Sequence, residues 1–152
     1  MADAQLLNDY IEMYFETFKN IDDLINAPMK ADGLSFEQFF IMHDLAAGHR
    51  LAMTEIAQRR GVTRAAISRQ IKALMARGMI TQERHVSDRR RLPLVLTASG
   101  AAVVARLDVT IAARFDRWVV ALGEPDAREL LRLLQKVGDK LIRPVVPADD
   151  GA

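Results

Sequence analysis

The sequence predicts a mainly helical protein that contains one small β-hairpin. Over most of its 152 residues, apolar residues recur every three or four positions, which is typical of one face of a helix. Between residues 79 and 97 the spacing changes to alternation, which indicates a pair of strands. Basic residues are concentrated in the middle of the chain. The predicted order is therefore helices, a basic segment with the hairpin, and further helices.

A long amphipathic helix is predicted from residue 6 to residue 27, with Pro28 and Gly33 as its end signals. Its apolar residues form a stripe and a second row, namely Leu7, Ile11, Tyr14, Phe18, Ile21 and Ile25, with Leu6, Tyr10, Met13 and Leu24. This face is wider than one neighbouring helix covers. The helix belongs either to the core of a monomer or, as the width favours, also to a contact with a second subunit.

The second helix begins at Ser35, where the sequence Ser-Phe-Glu-Gln predicts a capping box. Phe36, Phe39, Phe40 and His43 follow at helical spacing and therefore share one face. We expect this face to pack in the core against the first helix, because pockets are few in any protein. The alternative is that these residues line a ligand pocket.

Residues 53–78 have the pattern of two helices joined by a tight turn. The first helix ends at Arg60, and Gly61 suits the positive φ angle that such a turn requires. Thr63 is placed to cap the second helix and Gly78 to end it. The predicted inward residues of the second helix are Ile67, Ile71 and Leu74.

The outward face of this second helix combines small residues with long cations. No acidic residue occurs between Gly61 and Gly78, whereas solvated helices commonly pair acids with bases. Small side chains allow the backbone to lie deep in a major groove of DNA while Arg and Lys reach bases and phosphates. A plain amphipathic surface helix is the alternative. The predicted major-groove residues are Thr63, Arg64, Ala65, Ser68, Arg69 and Lys72.

The hairpin carries three consecutive arginines directly after Asp88. Like charges at a protruding tip repel one another and do not stabilise the fold, but the negative potential of a minor groove attracts guanidinium groups. The predicted minor-groove residues are Asp88, Arg89, Arg90 and Arg91. In the returning strand Pro93 lacks a backbone donor, so we expect that strand at an edge of the sheet.

Two more helices are predicted after the hairpin. Thr97 is placed to cap a long helix over about 98–122, and Pro125 marks the start of a last helix that continues to about 142. Their predicted apolar stripes are Val104, Leu107, Ile111, Phe115, Trp118 and Leu122, and then Leu130, Leu134, Val137 and Leu141.

Charge separates the middle of the chain from the rest. Residues 53–97 contain ten basic and three acidic residues, a net charge of +7, whereas the whole chain carries +1 and the remainder therefore −6. A basic module in an acidic frame is typical of a nucleic-acid-binding protein. A winged-helix module that binds a protein partner without sequence-specific DNA binding is the alternative, although it leaves the charge of the module unexplained.

The sequence predicts no catalytic activity, cofactor or metal site. The three histidines are scattered, cysteine is absent, and no phosphate-binding glycine loop or nucleophile–base arrangement is visible. No apolar run approaches the ~20 residues needed to cross a bilayer, and acidic residues in the first helix argue against a signal peptide. We therefore expect a cytoplasmic protein that does not interact with a membrane.

The helix–turn–helix, the arginine-tipped hairpin and the helix that follows together resemble the MarR family of bacterial transcriptional regulators. The matching residues are Ile56-Ala57, Gly61, Thr63–Arg77, Gly78, Asp88-Arg89-Arg90, Leu96-Thr97 and Gly100. The resemblance implies a winged helix–turn–helix module at 49–97, flanked by dimerisation helices at 1–48 and 98–152. It also implies a homodimer on a pseudo-palindromic double-stranded DNA operator, usually a repressor released by a small aromatic or phenolic ligand.

Roles for single residues also follow from the resemblance. Arg90 would enter the minor groove, with Asp88 orienting it and Arg89 nearby as a phosphate contact. Pro93 departs from the polar residue more usual at its position, and the lack of cysteine excludes the cysteine-based peroxide sensing of one branch. An effector pocket would be lined by Tyr14, Phe18, Phe36, Phe40, His43 and Arg50, which fit a core role equally well.

Overall fold

The computed structural model describes residues 3–83 and 92–143, which divide into a first unit ending at Thr110 and a second unit beginning at Ile111. In chain order the elements are α1 (Ala4–Met13), a π-helical turn (Tyr14–Phe18), α2 (Lys19–Ala31), α3 (Phe36–Ala46), α4 (Met53–Arg60), α5 (Arg64–Ala76), β1 (Ile80–Gln82), β2 (Leu94–Leu96), α6 (Ala98–Leu122), α7 (Glu124–Val137) and a second π-helical turn (Gly138–Ile142). This is the predicted mainly helical fold with one antiparallel hairpin. None of the described helices is both long and apolar enough to cross a membrane.

The first helical segment, residues 4–31, runs through α1, the first π-helical turn and α2 without a break, and is called the N-terminal helix below. The prediction that Pro28 ends it was wrong. Proline removes one backbone donor, but Pro28 and Met29 are both buried, and this packing offsets the lost hydrogen bond. The helix ends at Ala31, and in the turn that follows Gly33 has a φ of +65° while the Leu34 N–H donates to the Met29 carbonyl at 2.9 Å.

The core of the first unit forms around the inward face of α5. Ile67, Ile71 and Leu74 are at most 1% exposed, as the helical spacing predicted. The side chains buried with them in the first unit include Leu34, Phe39, Ile41, Met42, Leu45, Leu51, Ile56, Ala57, Leu94, Val104 and Leu107. Because α3, α4, β2 and the start of α6 all contribute, the orientation of α5 is fixed by apolar packing from several elements.

The predicted helix ends are formed by the expected local contacts. Ser35 Oγ accepts from the Gln38 N–H at 3.1 Å, and Gln38 Oε1 accepts from the Ser35 N–H at 3.0 Å, which completes the capping box. Gly61 has a φ of +63° between α4 and α5, and Thr63 Oγ1 accepts from the Ala66 N–H at 3.2 Å. These contacts set where α5 begins and therefore which residues occupy its first turn.

Strand β2 lies between β1 and a single bridge to Leu51. Its pairing with β1 places Ile80 opposite Leu96, and the Leu94 N–H, on the other side, donates to the Leu51 carbonyl at 3.0 Å. We expected Pro93 to place this strand at an edge of the sheet. That expectation was wrong at Leu94, which has a paired residue on each side, Gln82 and Leu51. The proline is tolerated because it precedes the strand, where its carbonyl still accepts from the Glu83 N–H at 2.9 Å.

The start of α6 packs against the end of α5 through Gly100. A Cβ atom at this position would lie 2.0 Å from the Met79 carbonyl oxygen, so only glycine fits. Thr97 completes the junction, because its Oγ1 accepts from the Gly100 N–H at 3.0 Å and donates to the Gly78 carbonyl at 2.6 Å. The junction explains in steric terms why a glycine follows three residues after this threonine.

Large apolar faces remain exposed in both units. No residue of α1 or of the π-helical turn after it is buried, and Tyr14 is 59% exposed. In the second unit no residue of α7 is buried, and Phe115 of α6 is 57% exposed. The predicted stripe of α6 is therefore buried only in its first part, at Val104 and Leu107. Within the single chain, the N-terminal helix does not act as the core helix of a monomer along α1.

Replacing Gly100 with Ala should destabilise the protein although alanine favours helices. The new methyl group would force the Met79 carbonyl and α6 apart, and overpacking of this kind costs about 3 kcal/mol. Urea denaturation at fixed protein concentration measures the change. Ser99→Ala, at an exposed neighbouring position, is the control and should change the free energy of unfolding by less than ~0.5 kcal/mol. Unchanged or increased stability of Gly100→Ala, as helix propensity alone predicts, would contradict the close packing.

Candidate nucleic-acid interface

The outward face of α5 presents the side chains that the sequence singled out. Arg64, Ala65, Arg69 and Lys72 are exposed, and Ser68 is half-buried beside Ile67. Thr63 is exposed as well, although its hydroxyl caps the helix. Five of the six predicted residues therefore lie on one helix whose opposite face is anchored in the core, and the sixth, Thr63, is its N-cap. Small residues next to long cations leave this surface free of bulky apolar side chains.

The cations on this face are not neutralised by carboxylates. Within residues 3–83 and 92–143, no ion pair involves Arg64, Arg69 or Lys72. The acidic side chains near the module are engaged elsewhere. Glu55 Oε2 accepts from the Ala52 N–H at 2.7 Å, and Glu83 pairs with Arg50 at 3.2 Å. The positive charge of the α5 surface therefore remains available to a polyanion.

Two other cations of the basic segment have structural contacts instead. Arg60 donates two hydrogen bonds to Glu37, at 2.8 and 3.1 Å, and its guanidinium lies 4.7 Å from the centre of the Phe40 ring. The hydrogen bond to Glu37 raises the pKa of the Arg60 side chain above its usual value. Arg77 donates to the carbonyls of Gly33 and Asp32. A charge count from the sequence treats both arginines like those of α5, although Glu37 neutralises Arg60 and only Arg77, bound to neutral carbonyls, keeps its full charge.

The predicted minor-groove residues Asp88, Arg89, Arg90 and Arg91 lie outside the described residues. The structure does describe the base from which the hairpin extends, where the Glu83 N–H donates to the Pro93 carbonyl at 2.9 Å. Arg50, counted among the effector-pocket residues, pairs with Glu83 at this base. The ion pair connects the segment before α4 to the strand that leads into the hairpin.

The predicted effector residues divide into a cluster and three separate positions. The Phe36 and Phe40 rings are 4.5 Å apart, and the Phe40 and His43 rings are 6.3 Å apart, so these three form one aromatic face on α3. His43 Nδ1 is 3.1 Å from Asp108 of α6. Tyr14 and Phe18 are exposed on the N-terminal helix, and Arg50 lies at the base of the hairpin.

The second unit contains a cavity that the sequence did not predict. It has a volume of about 550 Å³ and is lined by α6 and α7 residues, namely Phe115, Asp116, Val119, Val120, Glu124, Ala127, Arg128 and Leu131. None of the predicted effector residues belongs to it. The spacing of apolar residues every three or four positions identified α6 and α7 as helices. That spacing does not indicate how closely the two helices approach each other, so it could not predict a cavity between them.

Comparison with known proteins agrees with this geometry. The MarR family model matches residues 32–91, which include α3, the helix–turn–helix and strand β1. The HTH-type transcriptional repressor Rv2887 of Mycobacterium tuberculosis is 30% identical over 114 residues, which cover 75% of this chain and 82% of the relative. Relatives of this kind are regulators rather than enzymes, in agreement with the expected lack of catalytic activity.

Solved structures show the same fold. The repressor CouR, bound to a 23-mer DNA duplex, is 26% identical with a TM-score of 0.75, covering 91% of this chain and 99% of that one. Staphylococcus aureus MarR in complex with salicylate and kanamycin is 19% identical with a TM-score of 0.72, covering 91% and 94%. This chain therefore belongs to the MarR family and is a DNA-binding transcriptional regulator.

Proposed function

We propose that the protein is a homodimeric, sequence-specific repressor that binds a pseudo-palindromic operator and is released by a small aromatic or phenolic ligand. The observation that carries the proposal is the outward face of α5, where Arg64, Arg69 and Lys72 have no carboxylate partner among the described residues. Repression is the activity of its relative Rv2887. The protein would act on chromosomal DNA in the cytoplasm.

In the proposed complex α5 lies in the major groove. Ser68 and Arg69 occupy the middle of the exposed face and would read base edges, and an arginine fork fits the two acceptors of guanine. Arg64 and Lys72, one turn to either side, would divide between bases and phosphates. Arg90 of the hairpin would enter the adjacent minor groove, with Asp88 orienting it. The hydrogen bond that caps α5 at Thr63 holds the first turn of the helix in place for these contacts.

The exposed apolar faces support a dimer. A surface that displays Leu7, Ile11, Tyr14 and Phe18 in contiguous rows is larger than the patches a soluble monomer usually exposes. Burial of each such side chain contributes about 2 kcal/mol. The occupant that we propose is a second copy of the chain, because a two-fold axis would also place two α5 helices about 34 Å apart, one turn of DNA.

The aromatic face on α3 supports an effector site. Phe36 and Phe40 offer a stacking surface, and the imidazole of His43, whose Nδ1 faces Asp108, lies beside it with its second ring nitrogen. An aromatic acid or phenol combines an apolar ring with an oxygen acceptor and matches this combination. S. aureus MarR, a structure of the same fold, has been solved in complex with salicylate, which is a compound of this kind.

Arg69→Ala should weaken operator binding and relax its specificity. Loss of a bidentate base contact costs about 1–3 kcal/mol in each subunit, so affinity should fall at least about tenfold. Fluorescence anisotropy on an operator selected from random duplexes measures this change. The matched control is Arg132→Ala, which removes the same charge from a side chain already paired with Glu129 and should leave affinity unchanged. Equal losses in both variants would contradict a specific role for Arg69.

The salt dependence of binding tests the electrostatic part of the proposal. If each subunit neutralises three or four phosphates, the logarithm of the association constant should fall with the logarithm of salt concentration with a slope of about −5 to −7. Titrations between 50 and 200 mM potassium chloride, roughly the range where such effects are large, determine the slope. A nearly flat response would exclude DNA as the physiological partner of α5.

Ile11→Asp should dissociate the dimer. A carboxylate buried without a partner costs at least about 2 kcal/mol, and a two-fold interface contains the change twice. The dissociation constant should therefore rise at least about a thousandfold. Sedimentation velocity measures it. Asn20→Asp places the same charge on the N-terminal helix at a polar, exposed position and should leave the dimer intact. A dimer in both variants would contradict a subunit contact through this face.

A further inference from the structure

The turn that ends the N-terminal helix is held by two arginines from different elements. Arg77, directly after α5, donates from Nη1 to the Gly33 carbonyl at 2.7 Å and from Nη2 to the Asp32 carbonyl at 2.8 Å. Arg106 of α6 donates to the Asp32 carboxylate at 2.5 Å. The recognition helix, the N-terminal helix and α6 are therefore joined at two residues of one turn.

The contact suits the chemistry of a helix end. The last carbonyls of a helix lack partners within it and form the negative end of the helix dipole, so a cation is favourable there. The planar guanidinium of Arg77 presents two N–H groups in a fixed fork and reaches both carbonyls at once. A lysine ammonium lacks this fork. Replacement by lysine would therefore keep the charge and lose the fixed geometry.

Arg77 differs in this respect from the other cations of the recognition helix. Its two terminal nitrogens are both bound to protein carbonyls, whereas no carboxylate among the described residues pairs with Arg69 or Lys72. We propose that Arg77 is a positioning residue for DNA binding, which fixes the angle of α5 against the N-terminal helix and so sets the operator spacing that the dimer accepts.

The consequence for spacing rests on the proposed dimeric DNA binding. A dimer selects the separation of its half-sites by the distance and angle between its two recognition helices. The N-terminal helix carries the proposed subunit contact at one end and the Asp32–Gly33 turn at the other. Arg77 joins that turn to α5, so it transmits the geometry of the dimer to the recognition helix. Without the Arg77 side chain, α5 remains packed in the core, but its angle to the N-terminal helix is less restricted.

The first measurement compares salt dependence on an operator selected by the wild-type protein from random duplexes. Arg77→Ala should weaken binding about tenfold with the slope unchanged, since no phosphate contact is lost. Lys72→Ala is the matched control and should make the slope shallower by about 1.8, or 0.9 for each subunit. Arg77→Lys should bind as poorly as Arg77→Ala. A shallower slope in Arg77→Ala, or full recovery with lysine, would overturn the inference and make Arg77 a phosphate contact.

The second measurement uses operators whose half-sites are one or two base pairs closer or farther apart. The wild-type protein should lose about a hundredfold in affinity when the spacing changes by two base pairs, because each half-site rotates about the helix axis. Arg77→Ala should lose less than about tenfold. Equal discrimination by both proteins would contradict the positioning role. A wild-type protein with a flat salt response would instead contradict the proposed function itself.

Arg106→Ala covers the case in which substitution of Arg77 unfolds the protein. It loosens the same turn by removing the ion pair to Asp32 while every cation of α5 stays in place. Circular dichroism establishes that the variant is folded. Broader tolerance of half-site spacing with an unchanged salt slope supports the inference, and wild-type discrimination overturns it.

Discussion

The close approach of α6 to the end of α5 is the constraint on which the first unit depends. Thr97 donates to two carbonyls just after α5, from its hydroxyl to Gly78 at 2.6 Å and from its backbone to Met79 at 3.1 Å. Gly100 lets the next turn of α6 lie directly on Met79, where a side chain would not fit. Three parts of the protein meet here: α5, the two strands of the hairpin and the long helix α6. Their relative placement within the first unit therefore depends on the absence of a side chain at Gly100.

Charge in the basic segment has two uses that only contacts distinguish. Arg60 and Arg77 bind protein acceptors and tie α4 and α5 to the helices before them, whereas Arg64, Arg69 and Lys72 point to solvent without a carboxylate partner in the described chain. Both uses exploit the same property, since a guanidinium or ammonium group seeks oxygen acceptors wherever they are concentrated. A helix end or a carboxylate supplies them inside the protein, and a phosphate backbone supplies them outside.

The apolar faces show a similar division. In α5 the apolar stripe is buried by neighbouring elements of the same chain, and the helix is fixed without a partner. In α1 and α7 stripes of equal regularity remain exposed. Regular spacing of apolar residues therefore indicates that a helix face will be buried. The rest of the chain determines whether that face is buried within the same molecule. In the proposed dimer, the second copy covers what this chain leaves open.

The sequence by itself determined the local structure and the class of protein. The helix caps at Ser35 and Thr63 and the turn at Gly61 depend on residues within a few positions of each other. They can therefore be predicted from the sequence. Tertiary structure alone decided the rest. It showed that Pro28 stays inside a helix because it is buried, that Leu51 completes the sheet beside β2, and that Arg77 caps a helix more than forty residues away. Such contacts depend on which distant groups folding brings together, and the spacing of residues along the chain does not indicate which groups those are.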